Sequence, residues 1–119
     1  LFKHNLTEMQ DEYEKNDVMR EVIEYLEENF QEELTTASLC AHFGYTAAHF
    51  CRKFKEETGL TPMSYLKIRR MEEAYKLLKK GHYNISEIAA HCGYTDANYF
   101  TRCFKSHFGI PPSQIKVQQ

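Results

Sequence analysis

Apolar residues recur along this chain in helical bursts, most of them closed by a glycine. Val18, Val22, Ile23, Leu26 and Phe30 fall at three- and four-residue steps and form one stripe, which predicts an amphipathic helix from Asp17 with Asn16 or Asp17 as its cap. Its other face carries Glu21, Glu24, Glu27 and Glu28. A short helix over Ala37–Phe43 follows, capped by Thr35 or Thr36, with Leu39, Cys40 and Phe43 inward and Gly44 as its stop. Thr46 caps the next, Ala47–Thr58, whose Phe50 and Phe54 point the same way; Gly59 ends it.

Thr61-Pro62 opens the longest helix, Pro62–Lys80, with Tyr65, Leu66, Met71, Ala74, Leu77 and Leu78 as its apolar contacts and Gly81 as its stop. Asn84 caps a second short helix, Ile85–Cys92, with Ile85, Ile88, Ala89 and Cys92 inward and Gly93 behind it. Thr95 or Asp96 caps a helix over Asp96–His107, with Phe100 and Phe104 inward and Gly109 at its end. Pro111-Pro112 starts a last short helix containing Ile115. Residues 1–16 are polar and read as a tail or linker; Leu1 in place of Met is expected of a piece of a longer chain. The expected fold class is all-α, with about seven helices.

The two halves of this pattern repeat each other. Ala41, His42, Gly44, Tyr45, Thr46 and Ala48 recur 49 positions later as Ala90, His91, Gly93, Tyr94, Thr95 and Ala97. With Tyr99 taken as one inserted residue the offset becomes 50, and Phe50, Arg52, Phe54, Lys55, Gly59 and Pro62 match Phe100, Arg102, Phe104, Lys105, Gly109 and Pro112. Helix, glycine turn, helix over an apolar seam is a helix-turn-helix, here duplicated around a rod. The expected division is 17–61, 62–80 and 81–119, with the middle segment as linker helix.

Charge sharpens the picture. The formal net charge is only -2, but residues 1–35 hold three Lys or Arg against eleven Asp or Glu, and residues 36–119 hold twelve against six. The leader is therefore at -8 and the body at +6. A basic body points toward a polyanion, the plain alternative being two sets of charges that keep solvent faces wet. Cys40, Cys51, Cys92 and Cys103 form no CxxC pair, so a zinc ribbon is not expected; Cys40 and Cys92 fit as small reduced core residues. No apolar run approaches a membrane span.

The outward faces of the two second helices carry the candidate chemistry. The first offers Ala48, Cys51, Arg52 and Lys55, the second Ala97, Asn98, Thr101, Arg102 and Lys105. Small residues let a helix approach a groove floor; Arg forks onto guanine O6 and N7, and Asn pairs with adenine N6 and N7. Lys55, Lys105 and His49 suit phosphate, as do the free N–H groups at the helix starts near Thr36 and Ser86. Phe50, Phe54, Phe100, Phe104, Tyr45 and Tyr94 are core residues at this spacing rather than base-stacking ones. His42 and His91 fit surface or capping roles, and Asp96 fits a cap.

The segment "ISEIAAHCGYTDANYFTRCFKSHFGIPPSQIK" resembles the C-terminal signature of the AraC/XylS family of bacterial transcription regulators. "RRMEEAYKLL" is similar to that family's linker helix, and "LCAHFGYTAAHFCRKFKEETGLTPMSYL" to its first helix-turn-helix. The resemblance spans roughly Asp17–Lys116; Ile115 and Lys116 stand where the pattern more often has an aromatic residue and Arg. It implies a seven-helix module that enters promoter DNA with two recognition helices, and it implies that Arg52, Arg102, Lys55 and Lys105 lie at or near DNA. It further implies double-stranded promoter DNA and RNA polymerase as partners, a cytoplasmic setting, an upstream effector or receiver domain, and no cofactor. Two other classes stay open on the residues alone. One is a helical protein-interaction module; the other is an enzyme, for which no phosphate-cradling loop, HExxH or GxSxG is present.

Overall fold

The computed structural model describes residues 18–118, and in it the chain is helical throughout its regular elements. Six α-helices follow in order: α1 (18–28), α2 (Thr36–Phe43), α3 (Ala47–Thr58), α4 (Pro62–Lys80), α5 (Ile85–His91) and α6 (Ala97–Phe108), then a 3-10 turn at Pro112–Gln114. The expected helix start at Asp17 and the tail at 1–16 lie outside the described residues.

Local chemistry sets these boundaries. Side chains of Thr35, Thr46, Thr61, Asn84 and Asp96 each accept a backbone N–H from the first turn of the helix they precede. Each such cap satisfies a donor that has no partner inside the helix. At the other ends, Gly44, Gly59, Gly81 and Gly109 take φ between 74° and 83°. At Gly44 that left-handed turn lets its N–H reach the Cys40 carbonyl at 2.8 Å and redirects the chain at once into the cap of α3.

Packing divides the apolar residues into two clusters. Met19, Val22, Leu26 and Phe30 meet Leu39, Cys40, Phe50, Phe54 and Leu66 in the first. Met71, Ala74 and Leu77 meet Ile88, Ala89, Cys92, Phe100, Cys103 and Phe104 in the second. Helix α4 thus places Leu66 in one core and its next three turns in the other. Phe50 and Phe54 of α3 and Phe100 and Phe104 of α6 are fully buried, and truncating one to Ala would cost about 3–5 kcal/mol.

Several sequence expectations need correction. Met19 joins the buried stripe of α1, while Val18 and Ile23 pack against the same core from its edges. The spacing 19, 22, 26, 30 keeps one face, whereas 18 and 23 flank it and are half-buried. Helix α5 stops at His91 with Cys92 as its cap, and α6 runs one residue later than expected because Asp96 is the cap itself. The last helix shrinks to a three-residue 3-10 turn; Ile115 follows it in extended conformation and packs on the second core. The extra residue of the second repeat is not Tyr99. Caps Thr46 and Asp96 begin helices of equal length, 12 residues each, so the insertion sits in the turn before α6.

Two half-buried tyrosines and one buried cysteine, all of raised pKa, tie stability to alkaline pH. Burial above all pushes Tyr65 up to about 12, helped by the hydrogen bond it donates to Glu27 at 2.7 Å. Burial also pushes Tyr94 and Cys92 up to about 12. The ordinary values are 10.0 for Tyr and 9.0 for Cys, so the unfolded chain releases these protons first. Stability is therefore whole below about pH 9 and falls as pH rises toward about 12. Urea midpoints measured from pH 7 to 11 should hold level and then drop, and Tyr94→Phe should make the drop shallower.

Candidate nucleic-acid interface

Burying Phe50 and Phe54 on one side of α3, and Phe100 and Phe104 on one side of α6, fixes what the opposite faces show. On α3, Ala48, Arg52 and Lys55 are exposed and Cys51 is half-buried. On α6, Asn98, Arg102 and Lys105 are exposed, Thr101 is half-buried, and Ala97 packs against the second core. Counted from the caps, Ala48 corresponds to Asn98 and Ala47 to Ala97, while Cys51 corresponds to Thr101. Arg52 and Arg102, and Lys55 and Lys105, occupy identical helical positions.

None of these four cations lies within ion-pair distance of a described carboxylate. The arginines are instead supported by rings. Arg52 Nη2 lies 3.4 Å from His49 Nδ1, and the His49 ring stacks on Tyr45 at 5.2 Å and 15°. Arg102 sits 5.7 Å from the centre of the Tyr99 ring, and Tyr99 in turn lies 6.0 Å from Tyr94. Tyr45 and Tyr94 each pack on the first buried phenylalanine of the following helix, at 5.8 Å and 5.3 Å. Both units therefore run the same relay from core Phe to turn Tyr to third-position ring to Arg. Ring support of this kind narrows the positions a guanidinium visits while leaving most of its donors available. Tyr99 escaped the sequence reading because it was treated as the insertion; its place immediately before Phe100, as His49 precedes Phe50, was the signal.

The polar groups of the two helices are not equally available. Thr101 Oγ1 donates to the Ala97 carbonyl at 2.9 Å, so its hydroxyl proton is used within α6 and its methyl and lone pairs remain. Asp96 accepts the N–H groups of Asn98 at 2.8 Å and Tyr99 at 3.4 Å, which places a carboxylate at the start of α6. Thr46, which is neutral, does the same for α3.

The first helices differ likewise. Thr36 is the first residue of α2, whose end is closed by the Thr35–Ser38 box with no acid in its first turn. Ser86 is exposed near the start of α5, but Glu87 closes that end, accepting the Asn84 N–H at 3.0 Å. By charge, the α2 end is the more receptive to an anion. Among the described residues no group of His, Cys, Asp and Glu could hold a metal ion, and no helix is long and apolar enough to cross a membrane.

A family model described as a helix-turn-helix domain matches residues 39–118. The HTH-type transcriptional activator RhaS of Mannheimia succiniciproducens is 36% identical over 98 residues, which cover 82% of this chain and 37% of that protein. The chain therefore spans little more than a third of the length of that relative. Among solved structures, the C-terminal domain of AraT, a response regulator from Geobacillus stearothermophilus, is 28% identical with a TM-score of 0.82, covering 86% of this chain and 88% of that one. A probable AraC family transcriptional regulator from Rhodopseudomonas palustris is 29% identical with a TM-score of 0.70, covering 83% and 94%. The DNA-binding domain of AdpA, solved in complex with a target DNA, is 26% identical with a TM-score of 0.75, covering 80% and 86%. The doubled unit, the shared central helix and these likenesses together place the chain in the AraC/XylS family of transcription regulators, as the family's C-terminal domain.

Proposed function

We propose that this domain binds double-stranded promoter DNA sequence-specifically, with α3 and α6 lying in successive major-groove segments on one face of the duplex. The observation that carries the reading is the repeated Arg and Lys pair, at identical positions of two helices and without described acidic partners. The charge of +6 over residues 36–119 supports it, as does likeness to a domain solved on DNA. Helix α4, 19 residues long, spans about 28 Å, close to the ~34 Å between major-groove segments one turn apart. Residues 17–61 form the first reading unit, 62–80 the spacer and 81–119 the second.

The side chains then take separate roles. Arg52 and Arg102 read guanine, and Asn98 reads adenine. Ala48, Cys51 and the Thr101 methyl form the close apolar contact with the groove floor, while Ala97, packed on the second core, lies at its edge. Lys55, Lys105, His49, Thr36 and Ser86 meet phosphate and set register without reading bases. The unit built on α6 reads more bases than that built on α3, whose outward positions are poorer in hydrogen-bonding groups. The module acts without catalysis, in the cytoplasm, and works beside RNA polymerase under an effector or receiver domain outside it.

Selecting bound sequences from a random duplex pool tests the reading. A bipartite consensus is expected, and enrichment of no sequence would contradict it. On that consensus, Arg52→Ala and Arg102→Ala should each cost about 1–3 kcal/mol and relax preference at one position, read by binding to a panel of single-base variants. Lys55→Ala and Lys105→Ala should weaken all sequences alike and lower the slope of log affinity against log salt by about 1 each. For the unaltered domain, about 6–10 phosphate contacts should lower affinity roughly 10³–10⁵-fold between 50 and 200 mM salt. Affinity that ignores salt would favour a protein-binding role.

A further inference from the structure

Two adjacent arginines in the middle of α4, Arg69 and Arg70, point about 100° apart around the helix and serve different neighbours. Arg69 stays within the first unit and α4. Its Nε pairs with Glu27 at 2.6 Å, its Nη1 with Glu73 at 3.4 Å, and its guanidinium covers the Phe30 ring at 4.1 Å. Arg70 bridges the two units, bonding to the first and touching a ring of the second. Its Nε donates to the Phe30 carbonyl at 2.7 Å and its Nη2 to the Glu32 carbonyl at 2.8 Å, both in the loop after α1. The same guanidinium lies 5.5 Å from the centre of the Tyr94 ring, which belongs to the turn before α6.

That turn is pressed onto the same loop. A Cβ on Gly93 would stand 3.0 Å from the carbonyl oxygens of Phe30 and Gln31 and 3.2 Å from Arg70 Nη2, and its φ is +92°. His91 adds an edge contact to Phe30 at 6.4 Å. Two charge-assisted bonds to carbonyls, a cation–ring contact and a glycine with no room for a side chain make a seam between the two helix-turn-helix units, in addition to their shared helix.

We infer that Arg70, with Gly93 and Tyr94, holds the two reading helices at one fixed separation and so sets which half-site spacing the domain accepts; the inference rests on the DNA-binding reading above. Arg70 touches no base in this role; it is a positioning residue. Two heads linked rigidly gain most when the DNA presents both half-sites at the matching distance, and a loosened link lowers that gain while tolerating other distances. Lys cannot replace Arg here, because an ammonium cannot fork onto two carbonyls and stack on a ring at once.

The test uses the selected consensus and two derivatives with one base pair added or removed between its halves. Affinity ratios between these duplexes are compared for the unaltered protein, Arg70→Ala, Arg70→Lys and Gly93→Ala. Ratios cancel any loss of active fraction, so partial unfolding of a variant does not decide the outcome. The unaltered protein should discriminate about tenfold or more against either derivative, and all three variants should compress that preference to about threefold or less. Unchanged ratios in every variant would overturn the inference and leave Arg70 as a local stabiliser of the α1 end. An unaltered protein with no bipartite consensus would instead overturn the DNA-binding reading itself.

Discussion

The structure depends on one helix shared between two cores. Each unit alone buries a few phenylalanines and a handful of aliphatic side chains, a small store against the entropy of fixing some fifty residues. By giving Leu66 to one core and Met71, Ala74 and Leu77 to the other, α4 completes both. Because it is continuous from Pro62 to Lys80, the two units cannot separate without unravelling something already buried. The Arg70 contacts then tie the loop after α1 to the turn before α6, in addition to the shared helix.

Duplication leaves the scaffold nearly identical and the chemistry different. The relay of phenylalanine, tyrosine, ring and arginine recurs in both units, yet α3 surrounds its arginine with Ala48 and Cys51 and α6 with Asn98 and Thr101. Asp96 strengthens the start of α6 as a cap at the expense of its appeal to phosphate. On the proposed reading, such differences let one half of a binding site be read closely while the other is mainly held.

Much of the fold was legible because its punctuation is local. Threonine, asparagine and aspartate caps, left-handed glycines and Phe pairs at four-residue spacing act within a few residues of themselves, and the ends of α3 and α4 follow from them directly. The all-helical, doubled architecture followed from the repeat. What stayed hidden was set across distance. Nothing near Met19 says that it, rather than Val18, is fully buried in the first core, and Cys103 joins the second core only because α6 lies as it does against its neighbours. The register of the second unit was obscured by one extra residue between Gly93 and the cap Asp96. The reach of Arg70 to carbonyls about forty positions earlier leaves no mark in a linear pattern. As for the candidate site, the residues on the outward faces could be named from sequence, but not the rings beneath the arginines.

Guanine N7 protection on the selected duplex tests the central claim most directly, since N7 faces the major groove. The account predicts two protected patches about one helical turn, roughly 10 base pairs, apart on one face, one lost in Arg52→Ala and the other in Arg102→Ala. A single patch, or two on opposite faces of the duplex, would contradict it.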